Sequence, residues 1–276
     1  MNTTTYDDAA DVHGEAQRKR HLSLPKVPSR KVWRGLLGIL ALLVLWQALP
    51  EIGVLDPLFV PPLSKVLAAL WQMASNGQLW LHTSSSLSRV LPGLALALLL
   101  GIPAGLFVGT SKALRETIGP VLEILRNTSA LALLPVFTLL LGIGQSSKVA
   151  MVFYAAVWPI FLGTINGVQG VDPLWLKAGR SMGLSRQGLF LRVILPASLP
   201  SIFTGVRLAS AAALLVLVAA EMVGARAGLG YLVNAAQLDF DIPQMYAAIF
   251  VLSVIGGGVN FLLQRVESSL TRWKSA

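Results

Sequence analysis

Long apolar segments separated by short polar connections dominate this sequence. A helix needs about 20 mostly apolar residues to cross the hydrocarbon core of a membrane, and each segment approaches or meets that length. A soluble domain would carry more charge, because 54% of the residues here are hydrophobic and only 13% are charged. The sequence therefore predicts an all-α polytopic membrane protein with six transmembrane helices, at about 34–50, 88–110, 119–143, 148–168, 203–224 and 245–264.

The polar N-terminal stretch, residues 1–33, is predicted to be a cytoplasmic tail ahead of a transmembrane domain at 34–276 with a core at about 82–265. The first apolar run lacks a small-residue cleavage pattern at its end, so it is predicted to be retained as a span and not removed as a signal peptide. The segment 57–82 is amphipathic and interrupted by prolines. It is predicted to lie at the outer interface without crossing the membrane.

The distribution of Lys and Arg predicts the orientation, because cytoplasmic loops of membrane proteins are enriched in positive charge. With the N-terminus inside, sixteen of the 22 basic residues fall in cytoplasmic segments. Both termini are therefore predicted to be cytoplasmic. Two arginines, Arg126 and Arg207, fall within spans near their inner ends. The basic residues predicted to lie outside, or at the outer interface, are Lys65, Arg89, Lys148 and Arg226.

Several classes of function lack their usual signals. The net charge of +9 lies mostly between apolar segments, whereas a nucleic-acid binder concentrates such charge on one polar face. The chain has no cysteine, and its three histidines are scattered without metal-ligand spacing. It has neither a phosphate-binding loop motif nor a grouping of nucleophile and base. We therefore expect no enzyme activity, no cofactor, no metal and no nucleic-acid partner.

Small residues recur at four-residue spacing within the second predicted span, at Gly101, Gly105 and Gly109. Such spacing lets two helix backbones approach closely. Ordinary helix packing explains this pattern at least as well as a role in gating.

The connection at about 171–198 is polar enough to leave the bilayer, yet it is patterned. Asp172 followed by Pro173 predicts a helix start, with the aspartate as the cap and the proline in the first turn. Gly183 would allow the sharp turn that ends this short helix.

A second short helix is predicted after this turn, presenting Phe190 and ending at Pro196. In the first helix, the small residues Ala178 and Gly179 would allow close approach to another surface. Two such helices suit the docking of a partner. On composition alone, a basic interfacial loop that only fixes topology is an equal alternative.

The spacing of this loop resembles the "EAA" signature of ATP-binding cassette (ABC) importer permeases: Glu-Ala-Ala, three residues, Gly, nine residues, then an aliphatic residue, any residue, Leu and Pro. Two positions depart from that pattern, since Lys177 stands where the family usually has Glu and Gly179 where it usually has the second Ala. The matching residues are Ala178, Gly183, Val193, Leu195 and Pro196.

The resemblance covers about 55–273 and points to the permease subfamily for sulfonate, taurine, nitrate and related solutes. The order and spacing of the pieces carry it more than any single piece does. The pieces lie at 58–62, 80–82, 86–89, 125–126, 141–148, 158–160, 205–207, 218–221, 228–230 and 272–273.

This resemblance implies a type I importer fold in the bacterial inner (plasma) membrane, in which two permease copies, expected to be a homodimer, enclose the pathway. It also implies two separate ATPase subunits that dock on the loop and a periplasmic or lipid-anchored binding protein that delivers the solute. An aliphatic sulfonate or taurine is the first choice of substrate. Nitrate, bicarbonate and thiamine-precursor pyrimidines are alternatives.

Ionisable residues within spans are costly and are functional candidates by default. Glu221 is expected either to contact the outer gate or binding protein or to make a structural hydrogen bond. Arg126 and Arg207 could attract an anionic substrate, or they could extend to the inner headgroups. Glu123 lies three residues before Arg126 and could pair with it. An ion-coupled secondary transporter is the competing class, but only Glu123 and Glu221 lie within the predicted spans, both near span ends.

Overall fold

The computed structural model describes residues 30–271, and describes side chains over residues 37–271. This part of the chain consists of helices and the connections between them, with no strand. The part of α1 up to Trp46 is a separate compact unit, and the helices after it belong to a second unit. The helices are α1 (Arg30–Glu51), α2 (Leu63–Ser75), α3 (Gln78–Thr110), α4 (Lys112–Asn127), α5 (Leu134–Leu141), α6 (Gln145–Gln169), α7 (Pro173–Ser181), α8 (Arg186–Leu189), α9 (Leu195–Gly224), α10 (Leu229–Leu238) and α11 (Ile242–Leu270), with a π-helical turn at Phe190–Ile194.

Four helical segments are long and apolar enough to cross a membrane: α3, α6, α11 and the continuous run Arg186–Gly224. They correspond to the predicted spans at 88–110, 148–168, 245–264 and 203–224, although each helix extends beyond its predicted bounds. The first predicted span corresponds to α1, whose apolar part Leu37–Glu51 is shorter. The segment 57–82 contains the 13-residue α2, which at about 20 Å is too short to cross the hydrocarbon core.

The predicted continuous span at 119–143 is wrong, because two helices with a non-helical segment at 128–133 occupy this stretch. The break follows Asn127, and the next two residues, Thr128 and Ser129, are also polar. Pro135 lies in the first turn of α5, where a proline needs no backbone N–H partner and starts a helix more readily than it continues one. Apolar composition alone did not reveal this break.

The core of the second unit lies where α6 packs between α3 and α9, with Ala97, Ala156, Ile160 and Ala209 fully buried. Glycines bring these helices together. A Cβ atom on Gly105 would lie 2.7 Å from Cβ of Thr164 and 2.8 Å from the carbonyl oxygen of Phe161. Because lipid tails are as apolar as leucine, such close van der Waals contact is what holds membrane helices together.

The other two glycines of the predicted spacing contact the same helix. A Cβ on Gly101 would lie 3.1 Å from Cγ2 of Ile160, and one on Gly109 would lie 2.9 Å from Cβ of Val168. Helix packing therefore accounts for the spacing.

Candidate functional site

The connection between α6 and α9 begins with the predicted short helix, α7. The Asp172 side chain accepts a hydrogen bond from the backbone N–H of Leu174 at 2.8 Å, and Pro173 occupies the first turn. Gly183 follows the helix with φ at 77°, a left-handed conformation that glycine adopts without strain. The predicted cap and turn of this helix are therefore confirmed.

The second helix departs from the prediction. It begins as expected at α8, where the Ser185 hydroxyl accepts a hydrogen bond from the N–H of Gly188 at 3.2 Å. Pro196 does not end it, because the chain continues through the π-helical turn into α9. The backbone N–H of Leu195 bonds to the carbonyl of Phe190, five residues earlier. This wider turn changes the backbone just before the proline, whose ring would collide with a carbonyl in a regular helix interior.

Gly179 of α7 is the point at which the first short helix packs against the second. It is buried, and a Cβ atom here would lie 2.8 Å from Cδ1 of Leu189 and 3.3 Å from Cδ1 of Leu184. The surface that the small residue approaches is therefore the chain's own second helix. Its neighbours Lys177 and Ala178 are exposed. We call residues 171–198 the coupling loop, after the ATPase contact that the sequence resemblance implies for this segment.

The exposed surface of the coupling loop is both apolar and basic. Leu174 is 68% exposed, Met182 is 81% exposed and Leu191 is 60% exposed, whereas Val193, Leu195 and Pro196 are half-buried. Exposed large apolar side chains beside charged ones are typical of a protein–protein contact surface. The basic side chains on this surface are Lys177, Arg180, Arg186 and Arg192.

Glu221 is fully buried near the end of α9. Its Oε1 accepts a hydrogen bond from Nη1 of Arg89 at 2.5 Å, and its Oε2 accepts bonds from the Ser86 hydroxyl at 2.8 Å and from the Gly230 N–H at 2.9 Å. A buried carboxylate is stable only with such partners. These contacts fit the predicted structural role of Glu221, and in this conformation the side chain offers no exposed surface to a gate or binding protein.

Two basic residues predicted to lie outside, or at the outer interface, are buried against neighbouring helices. Arg89 of α3 is 8% exposed and Lys148 of α6 is 5% exposed. Besides Glu221, Arg89 donates to the Ala227 carbonyl at 2.7 Å. The Lys148 ammonium donates to the carbonyl of Gly224 at 2.8 Å, at the negative end of the α9 dipole. These partners make burial of the two cations tolerable, and their position on the outer side of the membrane stays a prediction.

The same cluster holds the connection between α9 and α10. The N–H of Gly228 donates to Nδ1 of His82 at 3.2 Å, and the N–H of Leu229 donates to the Ser86 hydroxyl at 2.8 Å. Gly228 has φ at 133°, and a Cβ there would lie 2.4 Å from the Glu221 carboxyl group. We call these side chains the buried polar cluster: His82, Ser86, Arg89, Lys148 and Glu221.

The two arginines predicted within spans are both paired. Arg126 donates from Nε to Oε2 of Glu123 at 3.0 Å, which confirms the predicted pair. Arg207 pairs with Glu267. The sequence-based expectation missed Glu267 because α11 continues to Leu270, beyond the predicted end of the last span at 264.

In the described part of the chain, no group of three or more His, Asp or Glu side chains is arranged to hold a metal ion.

The sequence matches the family model described as "Binding-protein-dependent transport system inner membrane component" over residues 97–272. It is 33% identical to the taurine transport system permease protein TauC of Escherichia coli, over 89% of this chain and 91% of that protein. It is 28% identical to the putative aliphatic sulfonates transport permease protein SsuC of Bacillus subtilis, over 97% of this chain and 98% of that protein.

Two further matches extend the comparison. The chain is 30% identical to the bicarbonate transport system permease protein CmpB of Synechocystis, over 83% of this chain and 88% of that protein. Among solved structures, an inward-facing MetNI methionine ABC transporter aligns with 70% of this chain and 97% of its own chain, at a TM-score of 0.59 and 18% identity. That likeness indicates the type I ABC importer permease fold.

Proposed function

The chain belongs to the family of binding-protein-dependent transport system inner membrane components, and on that premise we propose that it lines the path of a small anionic solute and receives energy from a separate ATPase. As a permease subunit of an ABC importer, it is a multi-pass protein of the bacterial plasma membrane. The coupling contact, the substrate and the assembly are the parts of the proposal that go beyond family membership.

The coupling loop is the observation that carries this proposal. Gly179 fixes α7 against Leu189 of α8, so the two short helices can move as one body. The π-helical turn then joins that body to α9 without a break. A push on the exposed side of the loop, at Lys177 and Ala178, would be transmitted along a helix that packs against α6 and α3 in the core.

An aliphatic sulfonate or taurine is the proposed substrate, with bicarbonate or nitrate as the second choice. The similarity to TauC and SsuC supports the first class, and the similarity to CmpB supports the second. An ion-coupled secondary transporter is less favoured because Glu123, Glu221 and Glu267 are all engaged in ion pairs. A proton relay would need a carboxylate that is free to change its charge.

We propose a homodimeric assembly with two ATPases and an external binding protein. The helices α4 and α5 have no buried residue. Their apolar side chains, such as Leu139 at 86% exposed and Ile124 at 70% exposed, form an unpartnered face that a second copy of the chain could cover. Predicted cytoplasmic termini would put the coupling loop on the side of the ATPases.

Cross-linking tests the coupling proposal, and the absence of cysteine from the sequence simplifies it. Single-cysteine variants would be co-expressed with the partner ATPase and treated with a short bifunctional thiol reagent. We expect Ala178→Cys to cross-link to a cysteine placed on the surface of the ATPase that docks on the coupling loop. Val54→Cys is the matched control, because this position is also exposed, at 64%, but is predicted to face outside. Cross-linking of both variants, or of neither, would contradict the proposal.

A further inference from the structure

A cleft of about 490 Å³, lined by both polar and apolar side chains, lies beside the break between α4 and α5. Tyr154 and Trp158 of α6 line one side, and Arg126, Asn127 and Ser129 line the other. Trp158 is near the middle of the 25-residue α6, about 16 to 20 Å from either end at 1.5 Å per residue. We call this space the midplane cleft.

Arg126 lies beside the central part of α6, and not near the inner end of a span as the sequence predicted. A position near the inner end of a span would let the guanidinium reach the headgroups, and the sequence predicted such a position. The Tyr154 hydroxyl donates to the carbonyl of Leu125 at 2.6 Å, which fixes the end of α4 beside the central part of α6. Arg126 therefore lies beside the central part of α6, where a charge is costly unless it has a function or a partner, and Glu123 engages only one edge of its guanidinium.

The broken helix is a second, independent observation. Non-helical backbone at membrane depth is tolerated only where it is buried in protein or lines a water-filled cavity. The segment 128–133 is non-helical, and Ser129 and Leu131 within it are exposed. The break therefore fits a space between two permease copies that solute and water can enter, and transporters commonly bind solutes at such discontinuous helices.

The chemistry of the lining favours an anion. No acidic side chain lines this cleft among the described residues, whereas the Arg126 guanidinium and the Trp158 indole are groups that donate and do not accept. Nε1 of Trp158 is buried and has no hydrogen-bond partner in the described structure. Nε and Nη2 of Arg126 both contact the carboxylate of Glu123. Nη1 is therefore available to donate to another acceptor.

We propose that the midplane cleft binds the oxyanion group of the transported solute halfway across the membrane, with Arg126 as its ionic partner and Trp158 as a further donor. Asn127 and Ser129 complete a donor-rich wall that suits the oxygens of a sulfonate or bicarbonate. This inference rests on the proposed function, because a solute reaches this depth only if the chain lines a pathway.

Charge-selective labelling tests the site in the assembled transporter, with permease and ATPase together in lipid nanodiscs. Ser129→Cys, or Asn127→Cys if that variant assembles poorly, would be exposed to two thiol reagents of similar size. One is sulfonatoethyl methanethiosulfonate, which is anionic, and the other is the cationic trimethylammonioethyl analogue. We expect the anionic reagent to react faster, because the Arg126 guanidinium attracts it and repels the cationic reagent, although Glu123 offsets part of that charge.

Two second-site variants separate anion binding from a purely structural ion pair. Arg126→Gln should abolish the anionic preference, whereas Glu123→Gln should keep or increase it because the guanidinium is freed. A structural pair alone would make the two variants equivalent. Ala113→Cys, on an exposed position of α4 outside the cleft, is the control, because any preference there comes from the adjacent Lys112 and Arg115 and should not change in Arg126→Gln.

Protection by free solute identifies the anion. Ethanesulfonate or sodium bicarbonate should slow the labelling of Ser129→Cys, and the one that protects at the lower concentration is the better ligand. Trp158→Phe should weaken that protection without changing the reactivity of Ala113→Cys. No labelling by either reagent, equal rates with both, a preference that survives Arg126→Gln, or protection by neither solute would overturn the inference.

ATPase measurements on the same nanodisc preparation distinguish failure of this inference from failure of the proposed function. If the ATPase co-purifies and hydrolyses ATP faster when the loaded binding protein is added, the importer assignment stands whatever the labelling shows. If the ATPase neither co-purifies nor hydrolyses ATP faster with the loaded binding protein, the proposed function is wrong, and the inference that rests on it is wrong as well.

Discussion

Arg89 and Glu221 form a buried ion pair in which Nη1 and Oε1 are 2.5 Å apart, although 132 residues separate them in sequence. The pair joins α3 to the end of α9, and its neighbours hold the backbone that leads into α10. It therefore fixes three helices at one end of the core.

Loss of one partner of this pair should be strongly destabilising. Arg89→Gln leaves the Glu221 carboxylate buried without its counter-charge, for which we expect a cost of about 3–5 kcal/mol. The measurement is the apparent unfolding midpoint of the purified permease in detergent. Replacing both partners, with Arg89→Met and Glu221→Leu, should recover part of the loss because no unpaired charge remains.

The matched control for that experiment is Lys112→Gln. Lys112 pairs with Glu116 at 3.7 Å, but the two side chains are 80% and 66% exposed, and such surface pairs contribute little. We expect a change within about 0.5 kcal/mol. A loss equal to that of Arg89→Gln would contradict the assigned role of the buried pair.

Enlarging Gly105 should separate α3 from α6. In Gly105→Val the new Cβ would lie 2.7 Å from Cβ of Thr164 and 2.8 Å from the carbonyl oxygen of Phe161, and a backbone atom cannot rotate away. We expect a loss of about 1–3 kcal/mol, as for other overpacked cores, seen as a lower unfolding midpoint. Gly119→Ala, where no atom lies within 4 Å, should not destabilise. Equal midpoints for both variants would refute this packing interpretation.

The turn at Gly183 should control coupling between ATP hydrolysis and transport. Gly183→Pro forces φ to about −65° where the backbone has 77°, so the two helices of the coupling loop would be misaligned. We expect solute uptake into proteoliposomes to fall at least several-fold while ATP hydrolysis continues. Gly183→Asn is the matched control because asparagine tolerates a positive φ. Normal uptake in the proline variant would contradict the coupling assignment.

A bulky residue at Ala178 tests the same coupling from the exposed side of α7. Ala178→Trp leaves the internal contact at Gly179 unchanged but adds volume to the proposed docking surface. We expect weaker recovery of the ATPase with the affinity-tagged permease and unchanged membrane insertion. Full recovery of the ATPase together with normal uptake would indicate that α7 does not dock.

The charge of Lys177 should matter little for docking. If the whole exposed side of α7 makes the contact, Lys177→Glu should retain the ATPase, because an exposed ion pair contributes about 0–1 kcal/mol. Co-purification of the ATPase at several salt concentrations measures this effect. Loss of the complex at low salt would instead indicate an acidic partner of Lys177 on the ATPase.

The sequence predicted features that depend on neighbouring residues. Runs of apolar residues predicted four of the spans because the length of a membrane helix is set by bilayer thickness. The cap at Asp172 and the turn at Gly183 were predicted because each depends on one side chain and its adjacent backbone. The Glu123–Arg126 pair was predicted because three residues of helix bring the two side chains together.

Two errors followed from rules that do not take the backbone geometry into account. The stretch 119–143 is apolar enough to suggest one span, and nothing in that average records that the helix breaks at 128–133. Pro196 was expected to end a helix, but a π-helical turn accommodates it. In both cases the backbone geometry, and not hydrophobicity, decides where a helix stops.

The sequence by itself determined the helical membrane class, the spacing of the coupling loop and the membership of a permease family. Only the tertiary structure decided how the costly groups are partnered: Arg89 with Glu221, Arg207 with Glu267, and Arg126 beside the midplane cleft. The physical reason is that a charge within the membrane is stabilised by whichever distant helix lies against it. That proximity is created by packing between helices distant in sequence, as at Gly105, and a local pattern such as the glycine spacing does not identify which helix is the partner.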